Sequence, residues 1–271
     1  MSLLETLGLN IFSSFLYDRL KKFKDLKNKS EAKKISERLR LVLKLMNDAR
    51  DEKFTIAEFS RILGLHKVSD LEKYFLAEEE PTFDFLNLFC NQFAINIEWL
   101  VEGKDQPFKY DEDHYIHLFD DCLKKIENLN PKVVYFVRAD SISGETCLVL
   151  KTDEYKTIVL NTYVHFSAIN GHGGMCQLID LRKLIMSLIL EKNMITKSLI
   201  VSKDIFFDLF NGKIHPSLAL QKRKGSFQYW HDDFTDIYNQ RCGYERHKEY
   251  DQNFQDAFNL VKSAIEKQSK N

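Results

Sequence analysis

The hydrophobic pattern of the chain changes character near residue 110, and that change constrains the fold more than any single motif. Before it, apolar residues recur at helical spacing. After it come KVVYFVRA (132–139), ETCLVLKT (145–152) and YKTIVLNTYVHF (155–166), rich in Val, Tyr, Phe and Thr. The turn sequences SISGE and DE separate these runs, which therefore read as strands of an antiparallel sheet. The stretch Gly103–Asp113 (GKDQPFKYDED) is short, polar and holds Pro107, so it reads as the linker between two parts.

Composition narrows the class. The 271 residues include 21 Phe but only 10 Gly and 4 Pro, which argues for packed cores and against a disordered or collagen-like chain. The net charge is −1, so no global basic field marks a nucleic-acid partner and any such signal is local. Residues 18–50 carry 12 Lys and Arg against 5 Asp and Glu, a net of +7; residues 51–80 carry 4 against 8, a net of −4. Five widely spaced cysteines without a CxxC pair suggest neither a disulfide framework nor a zinc ribbon, and fit reduced thiols in the cytoplasm. The first 22 residues are apolar, but Glu5 replaces a basic n-region, and Asn10, Ser13, Ser14 and Asp18 break the run short of a membrane span. Leu4, Leu7, Ile11 and Phe15 fall at helical spacing, which predicts an amphipathic helix over 1–30 that packs on the protein or on a partner subunit, with no membrane partner.

Residues 51–103 carry the most specific pattern. Thr55 is placed to cap a helix, with Glu58 three residues on, as in a capping box. Phe59, Ile62 and Leu63 form its apolar face, and Gly64 stands where the chain must turn. A second helix follows with Leu71, Tyr74 and Phe75 inward; helix, glycine turn, helix is the helix-turn-helix arrangement. Pro81-Thr82 restarts a helix, and Trp99-Leu100 closes the unit. With Phe54-Thr55, Leu63-Gly64, Glu80-Pro81 and the ending Trp99-Leu100-Val101-Glu102-Gly103, residues 36–103 resemble the XRE (Cro/lambda-repressor-like) DNA-binding family. The resemblance implies a helix-turn-helix domain over 31–105, double-stranded DNA as partner, and a homodimer reading two half-sites. Transferred by position, the DNA contacts are Thr55, Ile56, His66, Lys67, Ser69, Asp70 and Lys73. The basic residues Lys33, Lys34, Arg38, Arg40 and Lys44 on or before the first helix are placed for backbone phosphates. Three departures stand out: Ile56 occupies the family's glutamine position, the Leu65–Pro81 spacing is one residue long, and Asp70, Glu72 and Glu78–Glu80 put acid on and after the recognition helix.

Beyond the linker, residues 112–271 read as an α+β domain for dimerisation or for sensing a small-molecule or protein effector. A helix is expected over 113–128, a long one over 175–192, a short one from Ser202 to Gly212, a strand over 217–224, and an amphipathic tail helix over 245–268 with Phe254, Ala257, Phe258, Val261 and Ile265 on one face. Asn170-Gly171-His172-Gly173-Gly174 precedes the long helix and is a candidate anion or ligand loop assisted by Arg182; the same glycines also read as a simple cap. His231, Asp232, Asp233 and Asp236 are metal-type ligands, but they read better as an acidic first helical turn, and no metal is expected. No HExxH, Walker A or GxSxG is present, and no cofactor is called for. An effector enzyme or toxin is the alternative reading, with Asp140, Glu145, Lys151 and Asp153 as a nuclease-like cluster; a protein-interaction module is a third. Ser141 and Ser143 with Lys151 and Lys156 match a self-cleaving Ser/Lys dyad poorly.

Overall fold

The structure is a computed structural model that describes residues 30–111, 118–167, 170–224, 229–238 and 245–268. The expected N-terminal helix over 1–30 lies outside them except for Ser30. The chain divides into two compact units: residues up to Leu41 with Ile56–Thr82, and Val42–Thr55 with Phe83 onwards.

The first unit holds the beginning of helix α1 (Glu31–Asn47), α2 (Ile56–Ile62) and α3 (Ser69–Phe75). Gly64, at φ +71°, ends α2: its N–H donates to Arg61 O at 3.1 Å and the Leu65 N–H to Ser60 O at 2.9 Å, the two crossed bonds of a Schellman stop. The end of α3 repeats the device without glycine. Ala77 takes φ +59°, its N–H reaches Tyr74 O at 3.4 Å, and the Glu78 N–H reaches Lys73 O at 2.9 Å. Ile35, Leu39, Phe59, Leu63, Leu71, Tyr74 and Phe75 are buried.

The second unit is built on a five-stranded sheet in the order β1-β4-β3-β2-β5, with β1 at Tyr110–Asp111, β2 at Val133–Asp140, β3 at Glu145–Lys151, β4 at Thr157–His165 and β5 at Thr196–Ser202. The three expected strands pair antiparallel in sequence order, Phe136 opposite Leu148 and Leu148 opposite Leu160. The sheet as a whole is mixed, not antiparallel, because β5 lies parallel to β2 and β1 parallel to β4. Since β4 and β5 point the same way, their connection must cross over, and it does so through α7 (His172–Met186) and a π-helical turn over Ser187–Glu191. The 217–224 segment is a helix followed by a single bridge. Pro216 opens α9 (Pro216–Gln221) at its first turn, His215 Nδ1 accepts the Ser217 N–H at 3.3 Å, and only Arg223 pairs with Val201.

Both faces of the sheet are covered. Val134, Phe136, Leu148, Leu150 and Leu160 face one core with α6 (Leu118–Leu129), α7, α10 (Trp230–Thr235) and α11 (Gln252–Gln268). Tyr135, Val137, Cys147, Val149 and Val159 face the other, with Phe206 and Leu209 of α8 (Lys203–Phe210) and Ala219 of α9. Burial on both sides explains why these strands are near-continuous apolar runs without polar alternation. Helices α4 (Phe83–Phe93) and α5 (Ile97–Glu102) belong to this unit. Over its described part, the expected linker is pinned: the Asn96 N–H donates to Pro107 O, the Lys109 N–H to Ala94 O, and the Phe108 N–H to Gly212 O at 3.0 Å, with Phe108 buried.

Candidate nucleic-acid interface

The residues nominated for DNA contact differ in exposure and in engagement. His66, Lys67 and Ser69 are exposed in the turn and first residues of α3, and Thr55 is exposed immediately before α2, where Ile56 is half-buried. Asp70 accepts the Lys67 backbone N–H at 3.2 Å, so this carboxylate closes the start of α3 onto itself while the Lys67 ammonium stays exposed. Lys33 is exposed on α1, and neither Lys33 nor Lys67 has a carboxylate partner among the described residues.

Other cations are occupied. Lys73 Nζ pairs with Glu79 at 2.9 Å and lies 5.0 Å from the Tyr74 ring centre, and its pKa is raised chiefly by the Glu79 hydrogen bond. Lys34 pairs with Glu31 at 2.7 Å. Arg38 is half-buried; burial lowers its pKa against the pull of Glu31 and Glu37. Arg40 donates to Ser36 Oγ at 2.8 Å and to the Phe75 carbonyl, which also accepts from Ser36 Oγ at 2.6 Å. Arg40 and Ser36 therefore cap the C-terminal end of α3 and tie it to α1, and a guanidinium suits that negative dipole end. The sequence shows Arg40 only as one more charge in a basic run. The Lys73–Glu79 pair depends on the chain turning back at Ala77, which has no glycine to announce it.

In the second unit, Asn96 caps α5 by accepting the Glu98 N–H at 3.0 Å, and Gly103 ends it at φ +74°. Trp99 and Leu100 are buried between these two signals. The 170–174 loop does head a helix: Gly171 is the N-cap of α7, and Asn170 Nδ2 donates to His165 O at 2.7 Å. Arg182 is not part of that loop. It lies eight residues beyond Gly174, about 12 Å along the helix axis. There it donates to Thr235 O at 3.2 Å and lines a cavity of about 270 Å³ with Met186, Asp236 and Tyr238.

The remaining clusters do not converge. Asp140 pairs with Lys224, Glu145 accepts from Ser141, Lys151 pairs with Glu154 and Asp153 with Lys132. Glu145 and Lys151 sit at opposite ends of β3, about 20 Å apart. His231 is buried against Phe136, within hydrogen-bond distance of Ser198 Oγ (2.8 Å) and Thr196 Oγ1 (3.0 Å). Asp233 accepts the Tyr250 hydroxyl at 2.6 Å. No group of three metal-type ligands converges among the described residues, and no helix there is long and apolar enough to cross a membrane. No protein-family model matches the chain, and no match to a curated protein or a solved structure was found.

Proposed function

We propose that the chain is a sequence-specific DNA-binding transcriptional regulator, a repressor acting as a cytoplasmic homodimer. Its N-terminal helices are the DNA-binding part, of the Cro/lambda-repressor kind, and the C-terminal α+β part dimerises or holds an effector. The observation that carries this reading is the α2–Gly64–α3 element, in which a Schellman stop leads through a turn with exposed His66, Lys67 and Val68 into a helix that opens on exposed Ser69. A short helix entered through exposed polar side chains such as His66, Lys67 and Ser69 can be presented to a major groove. Lys33 and Lys67 supply the phosphate contacts, whereas Lys73 is spent on Glu79.

The test is a gel shift with the DNA upstream of the chain's own coding sequence, at about 50 mM salt and above. Binding should fall steeply with salt. Lys67→Gln and Lys33→Gln should each lower the log–log salt slope by about one, and Lys73→Gln should leave it nearly unchanged. Absence of binding at low salt refutes the reading. The pairing of Lys73 and Lys34 with neighbouring carboxylates favours a second reading, in which the acidic α3 meets a basic protein surface. Salt-sensitive capture of a cationic peptide with no shift of DNA would select it.

A further inference from the structure

A cavity of about 520 Å³ opens on the second face of the sheet, within the size range of small-molecule sites. Its walls come from four places in the second unit: the Ala49–Glu52 loop, Tyr135 on β2, Lys151 at the end of β3 with Glu154 after it, and Ser217, Leu220 and Gln221 of α9 with Arg223 just beyond it. Tyr135 is 8% exposed, and its hydroxyl has no hydrogen-bond partner among the described residues. That hydroxyl is not among the buried unpartnered atoms, so it is open to the cavity as a donor.

The charges around it are unequal in availability. Arg50 donates Nε to Glu52 O and Nη1 to Glu154 O, both at 3.1 Å, and stacks over Phe54 with its Cζ 3.9 Å from the ring centre. Carbonyls and an aromatic face orient a guanidinium without cancelling its charge, and no carboxylate pairs with Arg50 among the described residues. Of the acids lining the cavity, Glu154 is held by Lys151 at 2.8 Å, and Asp51 and Glu52 are exposed, where water screens them. The cavity thus brings together a hydroxyl donor, a guanidinium with no carboxylate partner among the described residues, and the exposed carboxylates of Asp51 and Glu52.

We infer that this cavity is a binding site for a small oxyanion-bearing metabolite, its phosphate or carboxylate held by Arg50 and the Tyr135 hydroxyl and its hydrogen-bond donors met by Asp51 and Glu52. The site stands independently of DNA binding. Isothermal titration calorimetry of the full chain with sodium phosphate and, separately, sodium citrate, at ionic strength fixed with chloride, tests it and tells the two anion chemistries apart. Saturable binding of one or both is expected, weakened about tenfold or more in Tyr135→Phe and in Arg50→Gln. The same binding should be unchanged in Lys213→Gln, which alters a cation outside the cavity lining. Tyr135→Phe keeps the packing of the core, so the test survives even if Arg50→Gln disturbs the loop. Heat that never saturates up to about 20 mM of either anion overturns the inference, as does binding that neither Tyr135→Phe nor Arg50→Gln weakens.

Discussion

Arg138 provides the sharpest test of how the second unit is held together. It projects from β2, is 2% exposed, and makes a two-pronged pair with Asp251: Nη1 to Oδ1 at 3.1 Å and Nη2 to Oδ2. Its guanidinium also lies 5.8 Å from the ring centres of Phe166 and Phe254. Asp251 does a second job, accepting the Phe254 N–H at 3.1 Å and so capping α11. Breaking a buried pair costs about 3–5 kcal/mol because the surviving charge is stranded. Here the Asp251 side chain is 48% exposed, so water can reach Arg138 and about 2–3 kcal/mol is the better figure. The lost cap adds about 1 kcal/mol. Asp251→Ala should therefore cost about 3–4 kcal/mol in urea unfolding. Fluorescence suits the assay because both tryptophans, Trp99 and Trp230, are buried in this unit. Arg138→Met with Asp251→Ala should be more stable than Asp251→Ala alone, since the stranded charge is gone. Burial would raise the Asp251 pKa, but the hydrogen bonds and charge of Arg138, helped by the Phe254 N–H, outweigh it and hold the carboxyl below its usual range. With the folded pKa depressed, this stabilisation is present above the ordinary carboxylate pKa of about 4 and is lost as pH falls through the folded value. Asp251→Ala should flatten that acid limb. A cost under about 1 kcal/mol, or a double variant no better than the single, would refute the reasoning.

Two other positions give independent checks. Burial, with the nearby Arg50 charge, lowers the His215 pKa to about 3, so below about 6.5 the unfolded chain takes up a proton that the folded chain refuses. Stability should fall by up to about 1.4 kcal/mol per pH unit as pH drops from about 6.5 towards 3, and pH-resolved urea melts of His215→Asn should show a shallower fall. Gly64→Ala and Gly212→Ala should differ although both glycines have φ near +70°. A Cβ on Gly64 meets nothing, leaving a backbone cost of about 1 kcal/mol; one on Gly212 collides with the Phe108 carbonyl and should cost about 2–4 kcal/mol, measurable by thermal melts.

The strands β2, β3 and β4 were legible because double-sided burial writes long apolar runs between short polar turns. The tail helix was legible because Phe254, Ala257, Phe258 and Val261 recur on one buried face. What escaped was pairing. TKSLIVS is a short run directly after a helix, and nothing local reveals that it joins β2 in parallel; that depends on where α7 delivers it. SLALQKRK was expected to be a strand although Pro216 stands immediately before it, the proline that suits a first helical turn. At the candidate interface, residue types were legible and engagements were not. Lys33, Lys67, Lys73 and Arg40 are equivalent as letters, and only the fold-back at Ala77 and the capping of Phe75 divide them into exposed and occupied cations.

The pinned segment after α5 bears on how such a chain can be rearranged. Residues 36–103 look in sequence like a cassette that ends at a polar spacer. Yet Asn96 and Ala94 share backbone hydrogen bonds with Pro107 and Lys109, and Phe108 is bonded to Gly212 a hundred residues later. A cut at Gly103 or Asp105 would part α5 from the strand-like segment that completes it and bare the Gly212 carbonyl. Recombination at this junction, natural or engineered, would thus carry a penalty on both sides of the cut. Helices α4 and α5 are bound to be inherited with the sheet, whereas the stretch Ile56–Thr82 goes with α1 up to Leu41, to which Ser36 and Arg40 tie it.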